Sequence, residues 1–142
     1  MSSKKFSSEK APKPVGSYPH SRKVGNLLFL SGVGPRIAGS DKNDSSVPEL
    51  KLDHNGNFIA FDFAAQCHSV FQNIKAILED SGSSWENLID VTVFLVNMKR
   101  DFAVYNKIYA EYFKDNQPCR TTVEINSLPT PISIELKCIA TI

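Results

Sequence analysis

From Phe63 to Leu78 the apolar residues Phe63, Cys67, Val70, Phe71, Ile74, Ile77 and Leu78 recur at intervals of three and four. That spacing places them on one face of an α-helix and leaves the other face polar. Asp62 sits where a side-chain cap belongs, and Gly82 falls just past the last turn. A helix with one apolar stripe must bury it against another element, so the segments around it decide the architecture.

Those segments read mostly as strands. Leu88–Val96 is a short apolar run rich in β-branched residues, as a buried strand requires. In the closing stretch Ile132, Ile134, Leu136, Cys138 and Ala140 alternate with Ser133, Glu135, Lys137, Ile139 and Thr141, so one face is apolar and the other mixed. Arg120–Ile125 reads as a further strand. Ser21–Val24 and Leu27–Ser31 flank Gly25-Asn26 and read as a hairpin. Leu50–Leu52 and Phe58–Phe61 flank Asp53-His54-Asn55-Gly56-Asn57, and Asn55-Gly56 suits a tight turn that needs positive φ. A second helix is predicted to open at Asp101, with Phe102, Tyr105, Ile108, Tyr109, Tyr112 and Phe113 at helical spacing and Pro118 beyond its end. Residues 39–49 read as a mobile loop. The Ser- and Lys-rich residues 1–14, ending in Pro12-Lys13-Pro14, read as a flexible tail before a single domain over 15–142. The predicted order is β-β-β-α-β-α-β-β, an α+β fold with one sheet and both helices on one face. The other face is then solvated or an oligomer interface.

Composition narrows the function classes. The 142 residues carry 16 Lys+Arg against 15 Asp+Glu, a net charge of +1, which gives bulk electrostatic binding of nucleic acid little support. No run of about 18 apolar residues exists to span a bilayer. Cys67, Cys119 and Cys138 are odd in number and form no CxxC pair, which points to a reducing, cytoplasmic compartment. His20, His54 and His68 show no metal-ligand spacing, and no phosphate-binding glycine loop occurs, so neither metal nor cofactor is expected.

Two charged residues carry chemical promise. Arg120 begins a strand and reads either as an ordinary surface or paired cation or as a clamp for a carboxylate, which its guanidinium fork matches. Glu135 lies on the non-core face of the last strand and reads either as a solvated or paired carboxylate or as a group that orients and activates water. Cys119 has no basic neighbour except Arg120 and reads as an inert, buried or half-buried thiol.

Several blocks, in order and spanning about Pro14 to Ile142, resemble the Rid (YjgF) family of reactive intermediate deaminases. They are Gly16-Ser17-Tyr18, Leu28-Phe29-Leu30-Ser31-Gly32, Asn73-Ile74 with Ile77-Leu78, Asn106-x-x-Tyr109-x-x-Tyr112-Phe113, Pro118-Cys119-Arg120-Thr121-Thr122-Val123, Leu128-Pro129 and Ile134-Glu135-Leu136. The resemblance implies a chorismate-mutase-like fold and a homotrimer with sites between subunits. It also implies hydrolysis of imines or enamines to carbonyl compounds and ammonium without metal or organic cofactor. It assigns Arg120 to the substrate carboxylate and Glu135 to the attacking water. It puts Tyr18, Ser31, Gly32 and Asn106 in the pocket, with Thr122 at a position that is often Cys or Ser.

The departures point to one branch. Val33 replaces the family's usual glutamine after Ser31-Gly32, Tyr18-Pro19-His20 is unusual, and a longer insertion precedes the first helix. These resemble 2-aminomuconate deaminases, whose substrate is an unsaturated amino dicarboxylate. His20 would then touch the second carboxylate, move a proton, or only pack in its loop. The alternatives are a general deaminase of 2-iminoacids from amino-acid metabolism and a non-enzymatic regulator that binds a small carboxylate. RNA cleavage, attributed to some relatives, has no basic-aromatic stripe to support it.

Overall fold

The computed structural model describes residues 2–39 and 46–142. Its elements are β1 (Ser3–Phe6), β2 (Ser21–Val24), β3 (Leu27–Leu30), β4 (Lys51–Leu52), β5 (Phe58–Ala60), α1 (Phe63–Asp80), β6 (Leu88–Leu95), α2 (Met98–Tyr112), β7 (Cys119–Glu124) and β8 (Ile134–Thr141). Six strands form one mixed sheet in the order β1-β2-β3-β8-β6-β7, and β4 and β5 form a separate hairpin. All neighbours in the large sheet are antiparallel except β6 and β7. That pair is parallel because α2 provides the crossover a parallel connection needs. Helix α1 lies against β8 and α2, and α2 lies against β6. The molecule is therefore the expected α+β sandwich of two helices on one sheet face.

The apolar stripe of α1 is buried throughout, from Phe63 to Leu78. Asp62 caps the helix, its side chain accepting from the Ala65 N–H at 3.0 Å, and Gly82 takes φ +85° just after it. The alternation in β8 holds too: Ile134, Leu136, Cys138 and Ala140 are buried, and Glu135, Lys137 and Ile139 face away from the helices. On that uncovered face Phe29 stays 37% exposed beside its register partner Ile139, and Phe94 of β6 pairs with Glu135.

Three sequence expectations change. Residues 1–14 were expected to be a flexible tail, yet Ser3–Phe6 pairs with β2 as the edge of the sheet and Phe6 packs on the core. An edge strand carrying lysines lacks the apolar alternation that would reveal it. Helix α2 starts at Met98 rather than Asp101, because the Asn97 side chain caps the Arg100 N–H at 3.0 Å. Asp101, inside the first turn, is buried and accepts both Nε and Nη2 of Arg100 at 2.7 Å. Cys119 is exposed at the start of an edge strand, while Cys67 and Cys138 are buried and burial pushes their thiols up to about 12. The expected loop over 39–49 falls in part on residues 40–45, which lie outside the described residues. Val47 and Leu50, at its far end, are buried with Ile132 in a small second core.

Candidate active site

Glu135 and the chain after β3 form a cleft whose lining also includes Pro12, Pro14 and Ile77 of α1. Beyond Leu30 the chain stays beside β8 through one bridge, with the Val33 N–H donating to Leu136 O at 2.8 Å and the Leu136 N–H donating to Val33 O at 2.9 Å. This holds Gly32 against Glu135. A Cβ on Gly32 would lie 2.8 Å from Glu135 Oε2 and 2.9 Å from its carboxyl carbon. Only glycine lets the backbone approach the carboxyl this closely. Gly32→Ala is therefore expected to swing the carboxyl aside, costing about a hundredfold in kcat if Glu135 is catalytic, with thermal stability little changed. An unaltered kcat in a folded variant would refute this.

The cleft has a volume of about 60 Å³, and Tyr18, His20, Ser31, Gly32 and Glu135 all line it. Ser31 Oγ donates to Pro19 O at 2.7 Å, which leaves the hydroxyl's lone pairs for a ligand. Tyr18 is 43% exposed at the mouth. Burial pushes the Glu135 carboxyl above the ordinary glutamate range, since desolvation disfavours its charged form.

His20 is buried and spoken for. The Ser8 backbone N–H donates to Nδ1 at 2.9 Å, so Nε2 carries the proton and donates to Pro12 O at 2.8 Å. The ring is thus a neutral tautomer that ties the N-terminal segment to the sheet. No ring nitrogen remains for a carboxylate or a transferred proton, which is the packing reading of this histidine.

Arg120, Asn106 and Thr122 are elsewhere. Arg120 of β7 is in register with Val91 of β6, and Val91 with Cys138 of β8. Arg120 therefore shares the helix-facing side with Cys138, whereas Glu135, three residues along β8, points to the opposite side. The guanidinium carbon lies 4.7 Å from the ring centre of Tyr109, 5.8 Å from Tyr105 and 5.9 Å from Phe102. Its Nη1 donates to Asn106 Oδ1 at 2.9 Å. A cation over aromatic faces with one further hydrogen bond is well oriented, and its other N–H groups are left over for an anion. Thr122 lies two residues on along the same face, its Oγ1 buried without a partner, as are Oη of Tyr105 and Tyr109. Burial raises the Tyr109 hydroxyl to about 12, keeping it a neutral donor. One chain thus carries two candidate half-sites, one around Glu135 and one around Arg120. Among the described residues no group of three or more His, Cys, Asp or Glu gathers to hold a metal.

The profile of the family described as Endoribonuclease L-PSP matches residues 8–142. The chain belongs to this family, the Rid or YjgF family. A RutC family protein of Pyrococcus abyssi is 38% identical over 133 residues, covering 93% of this chain and 91% of that one. Reactive Intermediate Deaminase A, chloroplastic, of Arabidopsis thaliana is 35% identical, covering 96% of this chain and 64% of its own length. Among solved structures, that of E. coli TdcF with bound serine superposes with a TM-score of 0.81 at 26% identity, covering 98% of each chain. Within the Rid family, Arg36 is a cleft residue of this chain that its sequence does not signal. It follows Gly34-Pro35 in what reads as an ordinary loop, yet it lines the same cleft as Glu135.

Proposed function

We propose that this Rid protein is a hydrolytic deaminase that converts an imine or enamine of a carboxylic acid to the carbonyl compound and ammonium, with a 2-aminomuconate-like substrate. The observation that carries the reading is a desolvated Glu135 carboxyl in a narrow cleft, its place enforced by Gly32. The deaminase name of the Arabidopsis relative and the serine held by the E. coli relative support a small carboxylate substrate.

The chemistry asks little of the protein. An enamine becomes an imine as one proton adds to carbon and one leaves nitrogen, and the imine carbon is already electrophilic. Glu135 accepts a proton from water as the oxygen bonds to that carbon. It returns that proton to nitrogen, giving the carbinolamine; it then takes the hydroxyl proton as the C=O bond forms and the C–N bond breaks, and passes it to the departing nitrogen, which leaves as ammonia and protonates in solution. A carboxyl raised above its ordinary pKa suits a group that must both take and give a proton. Arg120 holds the carboxylate and fixes the imine carbon before the water. Tyr18, Ser31 and Gly32 line that position, and Asn106 and Thr122 flank the guanidinium.

Because Arg120 and Glu135 of one chain face opposite sides of the sheet, the complete site is read as forming between copies, in a homotrimer. The uncovered face bearing Phe29, Phe94 and Ile139 supplies an apolar surface for that contact. No helix among the described residues is long and apolar enough to cross a membrane, and three free thiols suit a reducing, cytoplasmic setting.

The test is ammonium release from freshly generated 2-aminomuconate and from small 2-iminoacids. Acceleration confined to the small iminoacids would leave the general deaminase as the better reading, and no acceleration of either would leave the carboxylate-binding regulator. Glu135→Gln separates catalysis from stability. A carboxyl whose pKa is raised by burial stabilises the fold below its ordinary pKa and loses that contribution as pH rises through the raised value. At pH 7 the glutamine variant is thus expected to melt higher than the parent while turning over about a hundredfold more slowly. The parent's rate should also fall as pH drops through a value above the ordinary glutamate range. A rate in the variant matching the parent would remove Glu135 from the reaction.

A further inference from the structure

We propose that Arg36 is a second anion-binding group of the Glu135 cleft and that it selects substrates bearing a carboxylate at each end. The inference rests on the reading of the cleft as a substrate site and adds the residue that recognises the far end of the molecule.

The backbone that carries Arg36 is pinned by helix α1 at three successive carbonyls. Asn73 Nδ2 donates to Gly34 O at 2.9 Å and to Arg36 O at 2.8 Å, and Ser69 Oγ donates to Pro35 O at 2.7 Å. Its guanidinium is steadied by donation from Nη2 to Lys13 O at 2.6 Å. A loop residue held at both its carbonyl and its side-chain tip has lost most of the freedom that a surface arginine keeps, and what it binds costs correspondingly little ordering.

Among the described residues its charge meets no counterpart. Arg36 makes no ion pair among the described residues, where the pairs are Lys10–Asp80 and Arg100–Asp101. Glu135 lines the same cleft and does not close on it, and no charge contributes to the shift of the Glu135 carboxyl, only its burial. A cation and a carboxyl held apart in one cleft leave space for a ligand between them. Around them Pro12, Val33 and Ile132 present apolar surface. In such surroundings a guanidinium attracts an anion more strongly than it would in water.

His20, the other basic group lining the cleft, has no donor left for a ligand. Arg120, the clamp for the carboxylate next to the imine, comes from a different half-site. A substrate seated across both would meet one arginine at each end. A monocarboxylate of the same length would leave Arg36 facing apolar atoms, and a site built for a charged group rejects an analogue that lacks it.

Calorimetric titration with trans,trans-muconate and with sorbate, its monocarboxylate counterpart, tests this without turnover. The parent protein is expected to bind muconate at least about tenfold tighter than sorbate. Arg36→Met should erase that preference while sorbate affinity and melting temperature stay near the parent's. Equal affinities in the parent, or a preference that survives in Arg36→Met, would overturn the proposal. Should Arg36→Met fail to fold, Arg36→Lys decides: it keeps charge without the fork and should retain only part of the preference, and a full preference there counts against a bidentate clamp. An Arg36-dependent preference in a protein that deaminates neither 2-aminomuconate nor 2-iminoacids would refute the proposed reaction and leave this site standing. A working deaminase with no such preference does the reverse.

Discussion

Arg120→Ala is expected to reduce kcat/KM for the imine substrate by about a thousandfold, the usual range for removing a preorganised group that fixes the reacting centre. The fold should be little affected, because the guanidinium rests at the sheet edge on the faces of Tyr109, Tyr105 and Phe102. Arg120→Lys should recover little. An ammonium keeps the charge but cannot offer the planar fork while also bonding Asn106 Oδ1. The sharper form of the experiment mixes Arg120→Ala with Glu135→Gln protein after dissociation and reassembly. If each site takes Glu135 from one copy and Arg120 from the next, random mixing restores about a quarter of the sites, because one of four ordered pairings brings two intact halves together. A site confined to one chain would recover nothing. Turnover at the parent rate in Arg120→Ala alone would remove the clamp from the mechanism.

Phe71→Ala should be the costliest single change to the fold, at about 3–5 kcal/mol. Phe71 is 1% exposed, and five rings surround it: Tyr112 at 4.5 Å between centres, Trp85 at 5.9 Å, Phe113 at 6.0 Å, Tyr105 at 6.2 Å and Tyr109 at 6.3 Å. The lost ring removes apolar burial and leaves a cavity that rigid aromatic neighbours are slow to fill. Urea unfolding at matched protein concentration should show a lower midpoint with the slope retained. The damage should also reach the Arg120 half-site, since Tyr105 and Tyr109 are both shelf for the guanidinium and wall of the new void. KM should rise in the variant under conditions where it remains folded. A midpoint shift below about 1 kcal/mol would mean that the aromatic cluster repacks freely.

What could be read from the residues alone was local. The α1 stripe, its Asp62 cap, the two turns at Gly25 and Gly56 and the alternation in β8 each depend on near neighbours, and each is in place. Family resemblance carried Arg120 and Glu135 as a pair, but their separation depends on strand order and pleat parity, which pairing across the sheet decides. Strand β1 was hidden because lysines on an edge strand look like a solvated tail. Arg36 was hidden for a different reason. Nothing near it in the chain distinguishes it from a loop cation, and it becomes part of the cleft only because Ser69 and Asn73, more than thirty positions away, grip the carbonyls of its segment. His20 is the converse case: of the readings its residue type left open, packing in its loop is the one that its bonds to Ser8 and Pro12 match.

The way His20 fastens the N-terminal segment has a consequence for how such a protein diversifies. The floor of the cleft is sheet: Gly32 and Glu135 are locked by the bridge between Val33 and Leu136, and little there can change without refitting the strands. Part of its roof is the lead-in, where Pro12 and Pro14 line the cleft and the Lys13 carbonyl steadies Arg36. That stretch places Ala11 in the core and is otherwise tied down by hydrogen bonds at Ser8, His20 and Arg36. Changes in that stretch are therefore expected to alter which molecules fit the cleft while the Gly32–Glu135 floor stays as it is.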